Sequence, residues 1–316
     1  MSPRFPRDVL GAPYTAETID LAPDDEGPVT TTLVRRRLGR RTKKAVLYVH
    51  GFADYFFQTE YADWWVERGY DFYALDLRRY GRSLLPHQTP NYTGDLHEYF
   101  DDLDAAWGRI TDRDRHDHVV LTAHSTGGLI TSLWADEGLD GLSAMVLNAP
   151  WLDQPGSALL RTAGTTAVKR IAGFQPKLMI PRTVNGFYTR SLHSGFDGEF
   201  DFDLDWKPIG SWPLYAGWLA AIRDGHAAVH AGLDIAAPVL VLSSSASALP
   251  SEMGPDVHTH DIVLDVEQIR RWSPALGHHV TYVAIPDARH DVFLSLADPR
   301  ALAYDVLDRW RLAFVD

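Results

Sequence analysis

The sequence contains no cysteine among its 316 residues. This absence excludes disulfide bonds, a cysteine nucleophile and thiolate metal sites, and it leaves the cellular compartment open. Long apolar runs are missing as well. No stretch approaches the roughly 18 apolar residues that span a bilayer, and the N-terminal residues have no apolar core of the kind found in signal peptides. We therefore expect a soluble protein without a signal peptide and without stable membrane insertion, most simply in the cytoplasm.

Basic residues are outnumbered by acidic ones. The chain has 30 Lys and Arg against 42 Asp and Glu, which gives a formal net charge of −12 and a pI of about 5.5. An acidic protein of this size repels the phosphate backbone of nucleic acids, so we predict no nucleic-acid partner. Hydrophobic residues make up 45% and charged residues 23% of the chain, as is typical of soluble globular proteins.

Apolar, β-branched runs alternate with helical patterns along most of the chain. Residues 14–36 alternate polar and apolar side chains, which predicts antiparallel strands with one solvated face. Core strands are expected at a run that begins at Val119 and at 45–49, 71–76, 144–148, 239–242 and 280–285. Helical patterns lie near residues 56–68, 94–111, 129–136, 157–173, 214–231, 266–276 and 300–312. This order predicts an α/β fold with a mostly parallel central sheet and helices on both faces.

The alternation stops after Pro150. Between about 151 and 212 no strand of the core type is evident, and the segment is rich in Phe, Tyr, Trp and Gly. We predict that residues 1–150 and 213–316 form the core and that residues 151–212 are an insertion over the sheet.

One serine stands between a predicted strand and a predicted helix, in the run Ala123-His124-Ser125-Thr126-Gly127. A serine nucleophile in an α/β enzyme needs such a turn, because the turn lifts its Oγ off the sheet and small neighbours let the backbone bend tightly. The usual pattern is G-x-S-x-G, and Ala123, the next smallest residue, takes the first position here. We interpret Ser125 as the nucleophile. The alternative is an ordinary serine at a strand end, followed by two glycines.

A serine nucleophile needs a base, and the base needs an acid that orients it. In an open α/β sheet these groups follow the C-terminal ends of strands. His290 leaves the last predicted strand, whereas His116, His118, His278 and His279 precede strands. His290 is therefore the predicted base, and the alternative is a surface loop histidine.

The acid is expected after the strand at 239–242, where Asp256, Asp261 and Asp265 are available. Asp265 precedes a helical pattern with Gln268 three positions later, so a capping role explains it without catalysis. Asp261 is the better candidate. Asp256 and Asp265 remain alternatives, because the sequence does not define the path of the loop at 246–260. Two backbone amides should also bind the oxyanion of acyl transfer. We predict the N–H groups of Phe52 and Thr126.

These motifs together resemble the α/β-hydrolase fold, and within it the serine hydrolases that include monoacylglycerol lipases, lysophospholipases and serine aminopeptidase-like proteins. The resemblance covers residues of about 30 to 312. The residues that carry it are His50-Gly51, Asp76-Leu77-Arg78-Arg79-Tyr80-Gly81-Arg82-Ser83, the turn at Ser125, Asp261 and His290. The chain departs from such relatives by Arg79 and Ala123, where they have glycine, and by a longer loop before the acid. We expect His50, Gly51, His124 and Trp151 to contribute to substrate binding.

The resemblance implies that the 151–212 insertion is a lid. Its aromatic residues suit an apolar acyl substrate, but they equally suit the internal core that a small cap needs. An acidic run contains Asp197, Glu199, Asp201, Asp203 and Asp205, without the Gly and Glu positions of an EF-hand calcium loop. A solvated face explains this run, and no third ligand accompanies His258 and His260. We predict no metal and no cofactor.

The leading hypothesis is a cofactor-independent serine hydrolase that acts on a small-molecule carboxylic ester with an apolar acyl group, of the monoacylglycerol or lysophospholipid type. A serine aminopeptidase is the alternative within enzymes, and it would need acidic groups in the cap to hold a substrate ammonium. A non-catalytic α/β-hydrolase scaffold that binds a small ligand is a further alternative. A haloperoxidase- or lyase-like reaction on the same residues also stays possible. The oligomeric state is left open.

Overall fold

The computed structural model describes residues 5–155 and 158–316, and its strands form one eight-stranded sheet. Residues 1–4 of the predicted core and residues 156 and 157 of the predicted insertion lie outside the described residues. The strands are β1 (Thr15–Asp24), β2 (Gly27–Arg36), β3 (Lys44–Val49), β4 (Asp71–Asp76), β5 (His118–His124), β6 (Leu142–Asn148), β7 (Val239–Ser244) and β8 (Val280–Ile285).

The helices cover the predicted positions with two additions. They are α1 (Thr59–Glu67), α2 (Glu98–Gly108), α3 (Thr126–Asp136), α4 (Ala158–Ala172), α5 (Phe187–Leu192), α6 (Ala216–Ala231), α7 (Pro255–Thr259), α8 (Val266–Trp272) and α9 (Ala297–Phe314). The short helices α5 and α7 were not predicted, because five or six residues are too few to show a helical period. The predicted helix at 266–276 is divided into α8 and a 3₁₀ turn at Ser273–Leu276.

The sheet order is β1-β2-β4-β3-β5-β6-β7-β8. β1 pairs with β2 and β2 with β4 in antiparallel fashion, whereas every other neighbouring pair is parallel. The prediction of a mostly parallel sheet that begins with antiparallel strands is confirmed. All the parallel strands therefore end at one edge of the sheet, and the loops after β3, β5, β6, β7 and β8 meet there.

Helices cover both faces of this sheet, as predicted. On β3, Leu47 packs into a cluster that contains Ile222 of α6. Its neighbour Val46 points to the opposite face and packs into a cluster with Trp65 of α1 and Leu307 of α9. A strand that is buried on both faces reads as a continuous apolar run, which explains why the central strands are visible in the sequence.

The described part of the 151–212 segment contributes no strand to the sheet and contains α4 and α5. Part of it packs on the core through Phe202 and Leu192, which cluster with Tyr55 and Phe57 from the loop after β3. No helix among the described residues is both long and apolar enough to cross a membrane.

Candidate active site

Ser125 stands at the turn between β5 and α3. Its backbone has φ 53° and ψ −118°, a region that residues with a side chain rarely adopt. Hydrogen bonds hold the turn on both sides: its N–H donates to the carbonyl oxygen of Asn148 at 3.0 Å, and its own carbonyl oxygen accepts from Trp151 N at 3.0 Å. The strained turn presents Oγ at the edge of the sheet, where the sequence pattern placed it.

The glycines after Ser125 allow the helix to approach the neighbouring strand. A Cβ atom on Gly127 would lie 2.3 Å from the carbonyl oxygen of His50, and one on Gly128 would lie 2.7 Å from Cβ of Pro150. Both positions therefore need glycine for close backbone approach. Ala123, at the first position of the pattern, is buried at the end of β5.

A continuous chain of hydrogen bonds joins Ser125, His290 and Asp261. His290 Nε2 lies 3.0 Å from Ser125 Oγ, and His290 Nδ1 lies 2.8 Å from Asp261 Oδ2. Asp261 is fully buried and His290 nearly so. If Nδ1–H donates to the carboxylate, Nε2 is left to accept the proton of the serine hydroxyl. The structure thus brings together the three side chains that the sequence predicts as nucleophile, base and acid.

Backbone bonds hold Asp261 independently of the histidine. Its Oδ1 accepts from Val263 N at 2.8 Å and from Leu264 N at 2.7 Å. A short parallel bridge joins its main chain to the segment after β7: Asp261 N donates to the carbonyl oxygen of Ala246 at 2.9 Å, and Ala248 N donates to that of Asp261 at 3.0 Å. One carboxylate oxygen therefore fixes the turn and the other is free to face His290.

The two other acid candidates lie elsewhere. Asp265 is the N-cap of α8 and accepts from Glu267 N at 3.1 Å, while Gln268 Nε2 donates to its Oδ2 at 3.3 Å. This is the capping role that its sequence position suggests. Asp256 lies in α7 with its side chain 67% exposed, beside His260. Neither of them contacts His290.

The loop of His290 is tied to the end of β6. Asn148 Nδ2 donates to Asp291 Oδ1 at 2.6 Å, and Asn148 Oδ1 accepts from Val292 N at 3.1 Å. Because the main chain of Asn148 also accepts from Ser125 N, one residue positions both the nucleophile turn and the histidine loop. Asn148 was not singled out in the sequence; its position at the end of a core strand is the signal that could have found it.

The two residues whose amides are predicted to bind an oxyanion lie at the same cavity as Ser125. Phe52 and Thr126 both line this cavity. Within residues 5–155 and 158–316, neither N–H has a hydrogen-bond acceptor. Thr126 is also the first residue of α3, so its amide lies at the positive end of the helix dipole. Two unengaged donors from residues at this cavity are compatible with the predicted oxyanion hole.

The cavity has a volume of about 490 Å³, within the range of small-molecule sites. His290 and Ser125 lie in its wall, and aromatic and aliphatic side chains supply much of the rest. These apolar lining residues include Phe52, Trp151, Val184, Ile209, Leu214, Trp218, Leu219, Leu249, Ile262 and Leu264. The indole of Trp218 packs against the ring of Phe52 with centroids 4.4 Å apart.

Of the four predicted substrate-binding residues, His124 and Trp151 line the cavity, whereas His50 and Gly51 do not. His50 Nε2 accepts from Leu77 N at 3.1 Å, and its Nδ1 lies 2.8 Å from the carbonyl oxygen of Gly51. Burial lowers the pKa of His50, and its ring bridges the ends of β3 and β4. We correct its predicted role accordingly: His50 fixes the turn behind Ser125. Gly51 allows close packing there, since a Cβ would lie 3.0 Å from Cβ of Ser125.

A buried charged pair, which sequence reasoning missed, lies beside the serine. Lys207 Nζ donates to Asp54 Oδ1 at 2.8 Å, and His124 Nδ1 lies 3.6 Å from Asp54 Oδ2. Burial by itself would raise the pKa of Asp54, but the Lys207 ammonium and His124 hold it well below its ordinary value. Asp54 follows the His50-Gly51 turn, which could have marked it. Lys207 lies in a stretch without a periodic pattern, and no sequence signal marks it.

Tyr188 of α5 was also missed. Its ring lies edge-on to His290, with centroids 5.5 Å apart, and it lines the cavity. Burial raises the pKa of Tyr188 well above its usual value, so the phenol stays protonated. It places the 151–212 segment in direct contact with the candidate base.

The remaining polar motifs do not form part of the cavity wall. None of the acidic residues between 197 and 205 lines it. His258 Nδ1 lies 2.7 Å from Arg289 Nη2, and His260 lies beside Thr259. In the part of the chain that the structure describes, no three His, Asp or Glu side chains are grouped as ligands for a metal ion.

Comparison with known proteins agrees with this geometry. Residues 40–295 match the family described as serine aminopeptidase, S33 (Hydrolase_4). No curated protein sequence matches the chain.

Many solved structures share the fold. A soluble variant of monoglyceride lipase from Saccharomyces cerevisiae, in complex with a substrate analog, has a TM-score of 0.68 at 16% identity, covering 95% of this chain and 97% of that one. A monoacylglycerol lipase of Paleococcus ferrophilus has a TM-score of 0.64 at 18% identity, covering 89% and 99%. A thermostable carboxyl esterase from Bacillus coagulans, in complex with glycerol, has a TM-score of 0.68 at 13% identity, covering 95% and 99%. At these identities the likeness establishes the α/β-hydrolase fold, which confirms the predicted fold class.

Proposed function

Because the chain belongs to the serine aminopeptidase, S33, family of hydrolases, we propose that it cleaves carboxylic esters through an acyl-enzyme on Ser125. The observation that carries this proposal is the hydrogen-bond chain from Asp261 through His290 to Ser125 Oγ, which ends in the cavity. A serine hydroxyl is a weak nucleophile at neutral pH, and such a chain provides the base that activates it.

In this reaction Ser125 Oγ attacks the ester carbonyl while His290 Nε2 takes its proton. The carbonyl oxygen becomes an oxyanion that accepts hydrogen bonds from the amides of Phe52 and Thr126. The imidazolium of His290, stabilised by Asp261, then protonates the leaving alcohol. Water attacks the acyl-enzyme by the same route and releases the carboxylic acid. The nucleophile, the base, the acid and the oxyanion donors in these steps all belong to the chain itself.

The charges of the cavity favour an ester over a peptide with a free N-terminus. An aminopeptidase needs an unpaired carboxylate to hold the substrate ammonium. Among the described residues, the one carboxylate in the cavity wall is that of Asp54, and Lys207 already neutralises it. The acidic residues at 199–205, which were predicted as the groups that could hold such an ammonium, lie outside the cavity. The apolar lining suits an acyl group instead, and the structural neighbours named as monoglyceride lipase and esterase act on esters.

We further propose that residues 151–212 act as a cap on the core of residues 1–150 and 213–316. Trp151, Arg182, Tyr188 and Lys207 of this segment all line the cavity. A cap in this position would exclude water from the acyl group and select its length. The proposed substrate of this cavity is a small-molecule ester.

Labelling with a fluorophosphonate probe tests the nucleophile, with the modified peptide mapped by mass spectrometry. Stoichiometric labelling at Ser125 is expected, with none in Ser125→Ala and strongly slowed labelling in His290→Gln. Hydrolysis of para-nitrophenyl esters of increasing acyl length, measured beside aminoacyl para-nitroanilides, then distinguishes esterase from aminopeptidase. Faster cleavage of the anilides would overturn the ester proposal. A folded protein that is neither labelled nor active would favour the ligand-binding scaffold.

A further inference from the structure

Arg182 places an unpaired positive charge at the cavity. It belongs to the irregular segment between α4 and α5, is exposed, and lines the same cavity as Ser125. Its Nη2 donates to Ser211 Oγ and to the carbonyl oxygen of Trp212, each at 2.8 Å. Both acceptors are uncharged, so these bonds orient the guanidinium without neutralising it.

The surroundings of Arg182 offer it no carboxylate. Among the described residues no Asp or Glu forms an ion pair with its guanidinium, and partial burial alone lowers its pKa. The other charged residues in the cavity wall are Lys207 and Asp54, which neutralise one another. The wall therefore carries one net positive charge, in a chain whose formal net charge is −12.

The guanidinium also lies close to where the reaction is proposed to occur. Its central carbon is 5.5 Å from the centroid of the Phe52 ring, a cation–π distance. Phe52 supplies one of the two proposed oxyanion-hole amides. An anionic group on a substrate bound at Ser125 could thus meet the remaining N–H groups of Arg182 within the same cavity.

We propose that Arg182 is a specificity-determining residue that binds an anionic oxygen group of the substrate, so that the preferred esters carry a carboxylate or a phosphate in addition to the scissile bond. This proposal names the substrate class of the proposed esterase and rests on it. A guanidinium binds both groups by charge-assisted hydrogen bonds. A cation without a counter-ion gains more from such an anion than an arginine that is already paired with a carboxylate does.

Two pairs of substrates test the proposal and separate the two anions. The first pair is the para-nitrophenyl monoester of adipic acid and the same compound with its free acid capped as a methyl ester. The second is monobutyrylglycerol phosphate and monobutyrylglycerol. Wild-type kcat/KM should favour the anionic member of at least one pair by about tenfold or more, because hydrogen bonds to charged groups are the strong ones. The preferred pair identifies the carboxylate or the phosphate as the anion.

Arg182→Gln should abolish this preference, so that the ratio of kcat/KM between the anionic and the neutral member of the preferred pair falls to about one. Arg182→Lys, which keeps the charge but not the planar donor set, should retain part of it. Arg190→Gln is the matched control, since Arg190 lies in the same segment, pairs with Asp197 and is outside the cavity. No wild-type preference for either anion, or an equal effect of Arg190→Gln, would overturn the proposal.

A binding measurement distinguishes failure of this proposal from failure of the esterase proposal. If the wild type hydrolyses no ester, calorimetric titration of Ser125→Ala with hexanoate and with hexanamide still reports on Arg182. Hexanoate should bind about tenfold tighter than hexanamide, and Arg182→Gln in the same background should remove the difference. Equal binding of the two ligands would overturn the anion site whatever the catalytic activity.

Discussion

Lys207 donates a 2.8 Å hydrogen bond to Asp54, and both side chains are almost completely buried beside Ser125. Lys207 belongs to the 151–212 segment and Asp54 to the loop after β3, so the pair joins the proposed cap to the core at the cavity wall. His124 is near the same carboxylate, and Tyr188 and Phe57 lie within cation–π range of the ammonium. A desolvated pair of charges therefore contributes to the attachment of the segment, in addition to the apolar contacts of Phe202 and Leu192 with the core.

Lys207→Met should lower the free energy of unfolding by about 3–5 kcal/mol, because it leaves the Asp54 carboxylate buried without a counter-ion. The double variant Asp54→Asn/Lys207→Met should recover most of this loss, since no buried charge is then left unpaired. Urea unfolding at neutral pH measures both effects. Additive losses in the double variant would contradict this account of the pair.

Asp261→Asn should reduce kcat for ester hydrolysis by about 10⁴-fold, since an amide no longer stabilises the imidazolium or selects its tautomer. Asp265→Asn should leave kcat unchanged within about twofold, because this residue caps α8 and does not touch His290. Steady-state kinetics on one short-chain ester provide the measurement. Circular dichroism shows that each variant is folded. A larger loss of kcat in Asp265→Asn would reassign the acid.

Gly127→Ala should destabilise the protein by about 1–3 kcal/mol or more and strongly reduce activity. The added methyl would meet the carbonyl oxygens of His50 and Val49, at 2.3 and 2.8 Å, and the backbone at Ser125 would have to move. Gly164→Ala is the matched control: a Cβ there meets nothing within 4 Å. In the middle of α4 this control should stabilise by about 0.5–1 kcal/mol. Thermal unfolding and ester kinetics on both variants test the contrast.

Ser125→Gly should be more stable than Ser125→Ala, by about 1 kcal/mol, although both are inactive. Alanine keeps a side chain at a backbone φ of 53°, whereas glycine adopts this conformation without strain. The gain is reduced by the greater freedom of glycine in the unfolded chain. An unfolding midpoint of Ser125→Gly no higher than that of Ser125→Ala would contradict this account, because the strain would then not exceed the entropic cost of glycine.

Stability should fall as the pH drops below about 6.5, through His226 of α6. Burial lowers the pKa of this histidine to about 3, and the nearby Arg223 guanidinium acts in the same direction. Between pH 6.5 and about 3, His226 is therefore protonated in the unfolded chain but not in the folded protein. Proton binding favours unfolding over that pH range. From pH 7 to pH 5 this residue alone should remove about 2 kcal/mol. His226→Gln should start from a lower stability at pH 7 and show a shallower decline, as measured by urea unfolding at each pH.

Local patterns account for the part of the site that was predicted. The turn at Ser125 depends on a buried strand, small neighbours and a following helix, and all of them are visible within about ten residues. His290 was predicted because it follows the last strand. Asp261 was predicted because a capping role accounts for the neighbouring candidate, Asp265. The central strands were visible because both faces are buried.

The contacts that were missed depend on residues far apart in the chain. Lys207 meets Asp54 across 153 positions, and its segment has no period to mark an inward side chain. His50 stands at the correct edge of the sheet, as a binding residue would. The role of His50 depends on the amide of Leu77, at the end of the neighbouring strand, which donates a hydrogen bond to the His50 ring. Such cross-chain pairings follow from the tertiary fold and not from local propensity.

The bridge between Asp261 and the segment after β7 has a consequence for how this site can vary. Ala246 and Ala248 hold the main chain of Asp261, so residues 249–260, which include α7, leave this bridge and return to it at nearly fixed points. Insertions or deletions in that stretch need not move the carboxylate that faces His290. Leu249, at its start, is 96% exposed and lines the cavity. A change of loop at this stretch can therefore alter what enters the cavity without displacing Asp261, and the same stretch is where a protein engineer would graft a new loop.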